Sequence, residues 1–484
     1  MKLNPFHGLP NARQVWAWGM YDLANQSFTL LVVTLFLPIY LTAVLFAGNK
    51  DDAARALGWS LSAANLLVVL TAPVLGAAAD FAGRKKRMLT ITGVACATLT
   101  VALGLLPQSG PALTLTLFAL ANIAFMLGEN FLAAFLPEVS TRETVGRISA
   151  IGWTMGYIGA LLCLPLALIL PGVTSGAPSG FRAVFAFAGF WFLLNALPTF
   201  LILKEKKRPE PLPPGARLWN VGLLRFSSTF AHAARFRQLL VFLAVFCVYC
   251  CGMQVFINFS GLLASQYFKT RELILFVLAL AFISAAGSAA CGLLQDRIGQ
   301  RLTVQISLLL WIATSALAAL LPAQNAPMWH LMLVGAGIGL GLGVTGPASR
   351  AVVGILTPAH KTAEFFGLWG TGYKLAGVIG PPLYGEITRW QGQSAGLILV
   401  GCFFVVGLAG TFLVDIAAGR RAAEEAEQRH ADEIDARDIA AAASISAAEL
   451  RTVSTRVAPN DQPTPGPTPP GPTPPGPPPL SGGT

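Results

Sequence analysis

Gly76-Ala77-Ala78-Ala79-Asp80-Phe81-Ala82-Gly83-Arg84-Lys85-Lys86-Arg87 is answered far downstream by Gly292-Leu293-Leu294-Gln295-Asp296-Arg297-Ile298-Gly299-Gln300-Arg301. The two glycines, the aspartate and the following basic residue keep one spacing in both copies, and each copy joins two long apolar stretches. A short polar connector repeated at the corresponding place in two hydrophobic halves reads most simply as two copies of one helical bundle set in a membrane. Such a duplication points to a transporter.

The composition agrees. Hydrophobic residues make up 54% of the 484 and charged residues only 12%, against roughly 25% charged in an ordinary soluble domain, so the chain is too apolar to be folded into soluble cores. A helix needs about 20 mostly apolar residues to cross about 30 Å of hydrocarbon. Twelve such stretches can be marked, the first near 15–47 and the last near 394–414. Six precede a Lys- and Pro-rich strap, which predicts an N-terminal bundle over 1–203, a cytoplasmic linker over 204–237 and a C-terminal bundle over 238–415. Residues 416–484 change character, from an acidic, alanine-rich helix to a Pro, Thr and Gly tract expected to be extended or disordered. A protein partner could bind there.

The net charge of +10 does not call for nucleic acid. Lys and Arg gather in alternate connections, which sets topology and predicts both termini in the cytoplasm. The first apolar run lacks a clean cleavage site and is expected to stay in the membrane. All seven cysteines fall inside expected spans, where they act as small apolar residues; the Cys247 to Cys250 pair lies on an apolar helix with no second pair, so no metal or disulfide framework is expected.

A charge inside hydrocarbon costs at least ~2.5 kcal/mol, which makes buried ionisable residues functional candidates. Three sit well inside spans: Asp22, Glu129 and Lys374. Asp22, Asn25, Gln26 and Thr29 follow helical spacing and share a face of the first helix. Glu129 lies on the fourth, Trp153 and Tyr157 on the fifth, Gln254 and Asn258 on the seventh, and Tyr373 with Lys374 on the eleventh. Polar groups from both halves are expected to surround a substrate site near the midplane, with an acid for an ammonium and Lys374 for a carboxylate. Proton coupling through Asp22 or Glu129 is a further expectation.

The connectors suggest a gate. Gly76, Asp80, Gly83 and Arg84 in the first, with Asp296, Gly299 and Arg301 in the second, place a carboxylate at a turn where glycine permits positive φ. It can cap a neighbouring helix or pair with Arg142 or Arg147, closing one side reversibly. Gly152, Gly156 and Gly159 on the fifth helix, and Gly335, Gly339 and Gly343 on the tenth, form small-residue stripes that let helices approach. Gly341, Gly343 and Gly346 match GxGxxG without a preceding strand, a chance occurrence. No Walker lysine, HExxH or GxSxG motif is present. Neither a cofactor nor an enzymatic activity is expected.

The Gly76 to Arg87 connector resembles the signature of the major facilitator superfamily. Tyr21-Asp22-Leu23-Ala24-Asn25, Phe135-Leu136-Pro137-Glu138, Gly146-Arg147, Gly152 to Tyr157, Tyr249 with Gly252 and Gln254, Glu364 to Gly367, Gly372-Tyr373-Lys374 and Gly380-Pro381 resemble its vacuolar amino-acid effluxer branch. Leu23 replaces a common tryptophan of that branch, and Cys250-Cys251 an Asn-Asp pair. The resemblance implies an all-α membrane protein of the major facilitator fold, twelve transmembrane helices in two six-helix bundles, in a bacterial inner membrane. It implies a secondary transporter of a small polar solute, amino acids first, working by alternating access. A sugar or drug carrier of the same fold is the alternative, and a non-transporting scaffold acting through its tail is the rival of another class.

Overall fold

The computed structural model describes residues 11–46, 48–106, 110–140, 145–173, 177–205, 236–320, 327–358 and 362–433, with Phe6, Leu9, Ser175, Gly466, Gly471 and Gly476 as isolated positions. The expected linker falls almost wholly outside them, as does most of the tail. The chain separates into two compact units, Met1–Ala426 and Glu427–Thr484. In the second, residues 427–433 are helical.

Among the described residues the first unit holds twelve long helices: α1 (Ala12–Leu45), α2 (Lys50–Ala82), α3 (Lys85–Leu105), α4 (Pro111–Ala134), α5 (Val145–Leu168), α6 (Pro178–Ile202), α7 (Arg237–Ala264), α8 (Thr270–Ile298), α9 (Gln300–Leu320), α10 (Met328–Ile355), α11 (Thr362–Gln391) and α12 (Gln393–Thr411). Proline opens α4 and α6 at the first turn, where a missing N–H costs nothing. Among the described residues, eleven helices are long and apolar enough to cross a membrane. The exception is α11, which has the length at 30 residues but is diluted by glycines, Pro381-Pro382 and Lys374.

In the first half α3 packs on α4 and α6, and α1 on α5 and α6; in the second α8 packs on α10, α9 on α10 and α12, and α7 on α11 and α12. Trp311 anchors the second core, its ring stacked 5.2 Å from Phe256 and 5.1 Å from Phe404. The halves meet chiefly along α2 against α11, with α5 on α8 and α1 on α7 beside them.

One of these contacts follows from a single imino acid. Pro38 has no N–H to give the Thr34 carbonyl, and α1 runs as a wider π-helix over Ser27–Phe36 before it. A methyl at Gly261 of α7 would overlap that same Thr34 oxygen. The freed carbonyl is therefore where α7 closes on α1.

The two ends of the unit can be named by topology: the connector side, where α1 begins and Gly83 and Gly299 lie, and the far side, where α11 turns into α12. On the far half Gly58 backs onto the Pro381 carbonyl and Gly385 onto Arg55, so α2 and α11 touch at backbone distance. Ser62 Oγ donates to the Val378 carbonyl at 2.8 Å. Arg55 Nε and Trp59 Nε1 both donate to Glu386 Oε1 at 2.7 Å, and Arg389 Nε lies 2.9 Å from Asp52 Oδ1. These contacts hold the two halves together on the far side.

Candidate functional site

Asp22, Asn25 and Gln26 leave α1 in two directions. Asp22 and Gln26 point at α5, where Gly152 and Gly156 leave room: a methyl at 152 would overlap the Asp22 carboxylate, and one at 156 would crowd the Gln26 amide. One turn on, Gly159 takes the Leu23 carbonyl. The α5 glycine stripe thus exists to admit the polar face of α1. Asn25 points instead toward α4, where its amide donates to Glu129 Oε1. Trp18 braces the same pair of helices through its indole N–H to the Leu132 carbonyl at 3.0 Å.

Glu129 and its neighbour Asn130 face the other half of the protein. Lys374 Nζ of α11 donates to Asn130 Oδ1 across the divide between the halves. Lys374 also interacts through space with Glu129, Glu129 with Asp22, and Asp22 with Arg350 of α10. Asp22, Glu129 and Lys374 are each half-buried. Two acids and two bases from four helices therefore form one charge-balanced cluster. A cavity of ≈ 60 Å³ between α2 and α4 runs from Gly76 and Lys85 to Asn130, the residue that accepts from Lys374.

Arg350 is the residue the sequence reading missed. It lies near the end of α10, which continues to Ile355, and is half-buried. Its guanidinium carbon lies over two indoles, 5.3 Å from the Trp153 ring of α5 and 5.4 Å from the Trp369 ring of α11. Attraction to both rings, with the Asp22 charge acting through space, helps to make a cation tolerable there. The available signal was Trp153 and Trp369, two aromatics a few residues inside helices that flank the expected cavity. Asn130 was overlooked for standing next to the more conspicuous Glu129.

Trp153 is 55% exposed and its ring lies 6.5 Å from Tyr157. Gln254 and Asn258 form a separate group. Both are buried; Gln254 Nε2 donates to the Tyr373 carbonyl at 3.1 Å, and Asn258 Nδ2 to the Gln254 carbonyl at 2.6 Å. Gln254 ties α7 to α11 one residue before Lys374 while Asn258 bonds within α7, and no contact joins their side chains to the charged cluster among the described residues.

At the connectors, Gly83 and Gly299 have φ of 58° and 89°, as turns needing left-handed backbone require. Gly76 borders the cavity just described, and Arg84 is exposed. Arg142, and the side chains of Asp80, Arg147 and Asp296, lie outside the described residues. The polar anchors found there are others. Lys85 Nζ is 2.6 Å from Glu138 Oε1, with side chains 7% and 11% exposed. Glu205, just beyond α6, accepts from the Lys85 and Lys86 amides at 3.0 and 3.1 Å, capping α3. Arg301 lies 5.4 Å from the Phe412 ring.

Residues 138–424 match the family described as "Vacuole effluxer Atg22 like". The chain is 23% identical over 406 residues to the uncharacterized MFS-type transporter YxiO of Bacillus subtilis, covering 82% of this chain and 93% of that one. It is 24% identical over 476 residues to autophagy-related protein 22 of Kluyveromyces lactis, covering 85% and 95%. Among solved structures it superposes on the nucleoside transporter NupG (D323A mutant) with a TM-score of 0.62 at 14% identity, covering 83% of this chain and 98% of that one. At that identity the likeness carries the fold.

Proposed function

The chain belongs to the Atg22-like vacuole effluxer family of the major facilitator superfamily, and from that membership and the charges clustered between its halves we propose that it carries small zwitterions, amino acids foremost. It is a multi-pass membrane transporter. The observation that carries the substrate class is the charge-balanced cluster of Asp22, Glu129, Lys374 and Arg350, half-buried and shared between the two halves. A net-neutral cluster of separated acids and bases suits a net-neutral solute with separated charges, since neither an anion nor a cation leaves the site balanced.

Transport proceeds by alternating access. The far side is closed by α2 against α11 and α1 against α7, and Lys374 reaching Asn130 crosses the same divide nearer the connectors. Rocking the halves must break the Arg55 to Glu386 and Arg389 to Asp52 pairs to open the far side, and the connectors latch the opposite one. Protons are a candidate coupling ion through Asp22 or Glu129. The orientation we assign has the connector side in the cytoplasm of a bacterial inner membrane, with the tail beyond 416 as a docking segment for another protein.

Counterflow in vesicles reconstituted with the full chain tests the substrate class. Preloading with amino acids should accelerate uptake of a labelled amino acid, whereas preloaded sugars should not. Acceleration by sugars alone would reject the amino-acid reading. Asp22→Asn and Glu129→Gln test coupling: flux driven by a pH gradient should fall in at least one of them, and unchanged flux in both would remove protons from the cycle.

A further inference from the structure

We propose that Ser62 is the clasp of the far side: its hydroxyl fills a gap that Pro382 leaves in the α11 ladder, and it can do so only while α2 and α11 are together. This rests on the reading of the α2 and α11 face as one that parts during the cycle, and names the innermost bond that parting must break.

Two prolines stand side by side inside α11, Pro381 and Pro382. Neither has an N–H, so the carbonyls four residues back, those of Gly377 and Val378, receive no helical bond from them. In hydrocarbon a backbone acceptor without a partner is costly, and a hydroxyl from a neighbouring helix is a usual remedy. Ser62 supplies it, donating to the Val378 carbonyl at 2.8 Å. A helical hydroxyl commonly turns back on its own helix, as Thr71 of α2 does toward the Leu67 carbonyl. Ser62 reaches into the other half instead. Gly377 also lies against α2, since a methyl there would overlap the Asn65 amide.

Close packing brings the helices together at this break. Gly380 sits on the Cys251 carbonyl of α7, which fixes α11 to its own half just before the prolines, and Gly58 of α2 sits on the Pro381 carbonyl. The far side therefore closes in two layers. The outer one is Arg55 with Glu386 and Arg389 with Asp52, pairs whose side chains are 23–44% exposed and open to screening by salt. The inner one, Ser62 with Val378, joins uncharged groups and is indifferent to salt. Parting the outer pairs leaves ions that water solvates at once. Parting the inner bond strands a carbonyl until water follows it in.

Hydrogen exchange of the purified full-length protein tests this, read by mass spectrometry on α2 peptides within 52–66 and on overlapping α11 peptides that separate 375–380 from 383–391. Ser62→Ala should accelerate exchange in all of them by about fivefold, the worth of one ordinary hydrogen bond, and Ser62→Thr should restore protection. Pro382→Ala gives α11 its own N–H for the Val378 carbonyl, so in that background Ser62→Ala should change exchange by less than about twofold. Salt at about 1 M, where screening acts within about 3 Å, should loosen 383–391 in the wild type but 375–380 only when Ser62 is absent. Equal acceleration by Ser62→Ala with and without Pro382 would overturn the clasp. So would release of 375–380 by salt with Ser62 in place, which leaves alternating access standing. Should Pro382→Ala fail to fold, alanine against threonine at 62 and the salt series decide. A face that stays protected in every variant and at high salt would overturn both the clasp and the reading that this face parts.

Discussion

In the first half the turn at Gly83 is followed by Lys85, buried and 2.6 Å from Glu138, on a helix whose first amides are held by Glu205. In the second half the turn at Gly299 is followed by Arg301, half-buried, resting on Phe412 at the end of α12. The glycines that shape the backbone are duplicated; among the described residues, the polar anchors are not. Duplication preserved what sterics demand, because only glycine accepts φ of 58° and 89° without strain. It did not preserve the partners, which come from elsewhere in each half and are free to diverge. The first connector is thus pinned electrostatically and the second by aromatic contact, leaving the second as the softer hinge.

The strongest way to break this comparison is to remove the acid. Glu138→Gln removes the carboxylate 2.6 Å from the Lys85 ammonium, which is 7% exposed, and breaking one partner of a buried pair typically costs about 3–5 kcal/mol. The variant should show a large fall in melting temperature. A fall no greater than that of a surface substitution would mean that Lys85 finds another partner and the first connector is not pinned as described.

The turns themselves give the next effect. Gly299 has φ 89° and ψ 143°, a region almost closed to L residues, where strain is of order 1–3 kcal/mol. Gly83 at φ 58° lies near the left-handed helical well, which an alanine reaches at roughly 1–2 kcal/mol. Gly299→Ala should therefore destabilise more than Gly83→Ala, although a methyl at 299 meets nothing within 4 Å. The reverse order would show that local packing, not backbone, governs these turns.

These positions also show what the chain's sequence can disclose. The helices and the paired turns were legible because hydrophobic length and positive φ are local demands, written into consecutive residues. Asp22, Glu129 and Lys374 were legible because charge in hydrocarbon is conspicuous, and the structure does draw them into one cluster. Glu138 and Glu205 were not, since an acid near a helix end looks like any solvated acid until the fold brings Lys85 and the α3 amides to it. Arg350 was not legible either, because the tenth helix runs past the point where apolar composition stops. Gln254 and Asn258 satisfied the helical spacing of a cavity face; in the structure Gln254 bonds to the α11 backbone and Asn258 to Gln254.

Removing the α3 cap is a smaller perturbation. Glu205→Ala deletes the acceptor of two first-turn amides and should cost about 1 kcal/mol, the usual value of a lost helix cap. The accompanying sign is faster hydrogen exchange at the Lys85 and Lys86 amides, with the α9 amides that follow Gly299 unchanged. Protection that does not change would mean the carboxylate is incidental.

The smallest effect expected is at Arg301. Arg301→Met keeps a long apolar side chain over Phe412 while deleting the cation, so the loss is limited to the charge and ring attraction, about 0.5–1 kcal/mol for a partly exposed pair. Because no ion pair is being broken, the change in melting temperature should be nearly the same at low and high salt, whereas that of Glu138→Gln should depend on salt only weakly through burial and remain far larger. If Arg301→Met instead matched Glu138→Gln, Arg301 would have to be holding a carboxylate of its own. The two connectors would then be alike in chemistry as well as in backbone, and the second half would lose its claim to be the softer hinge.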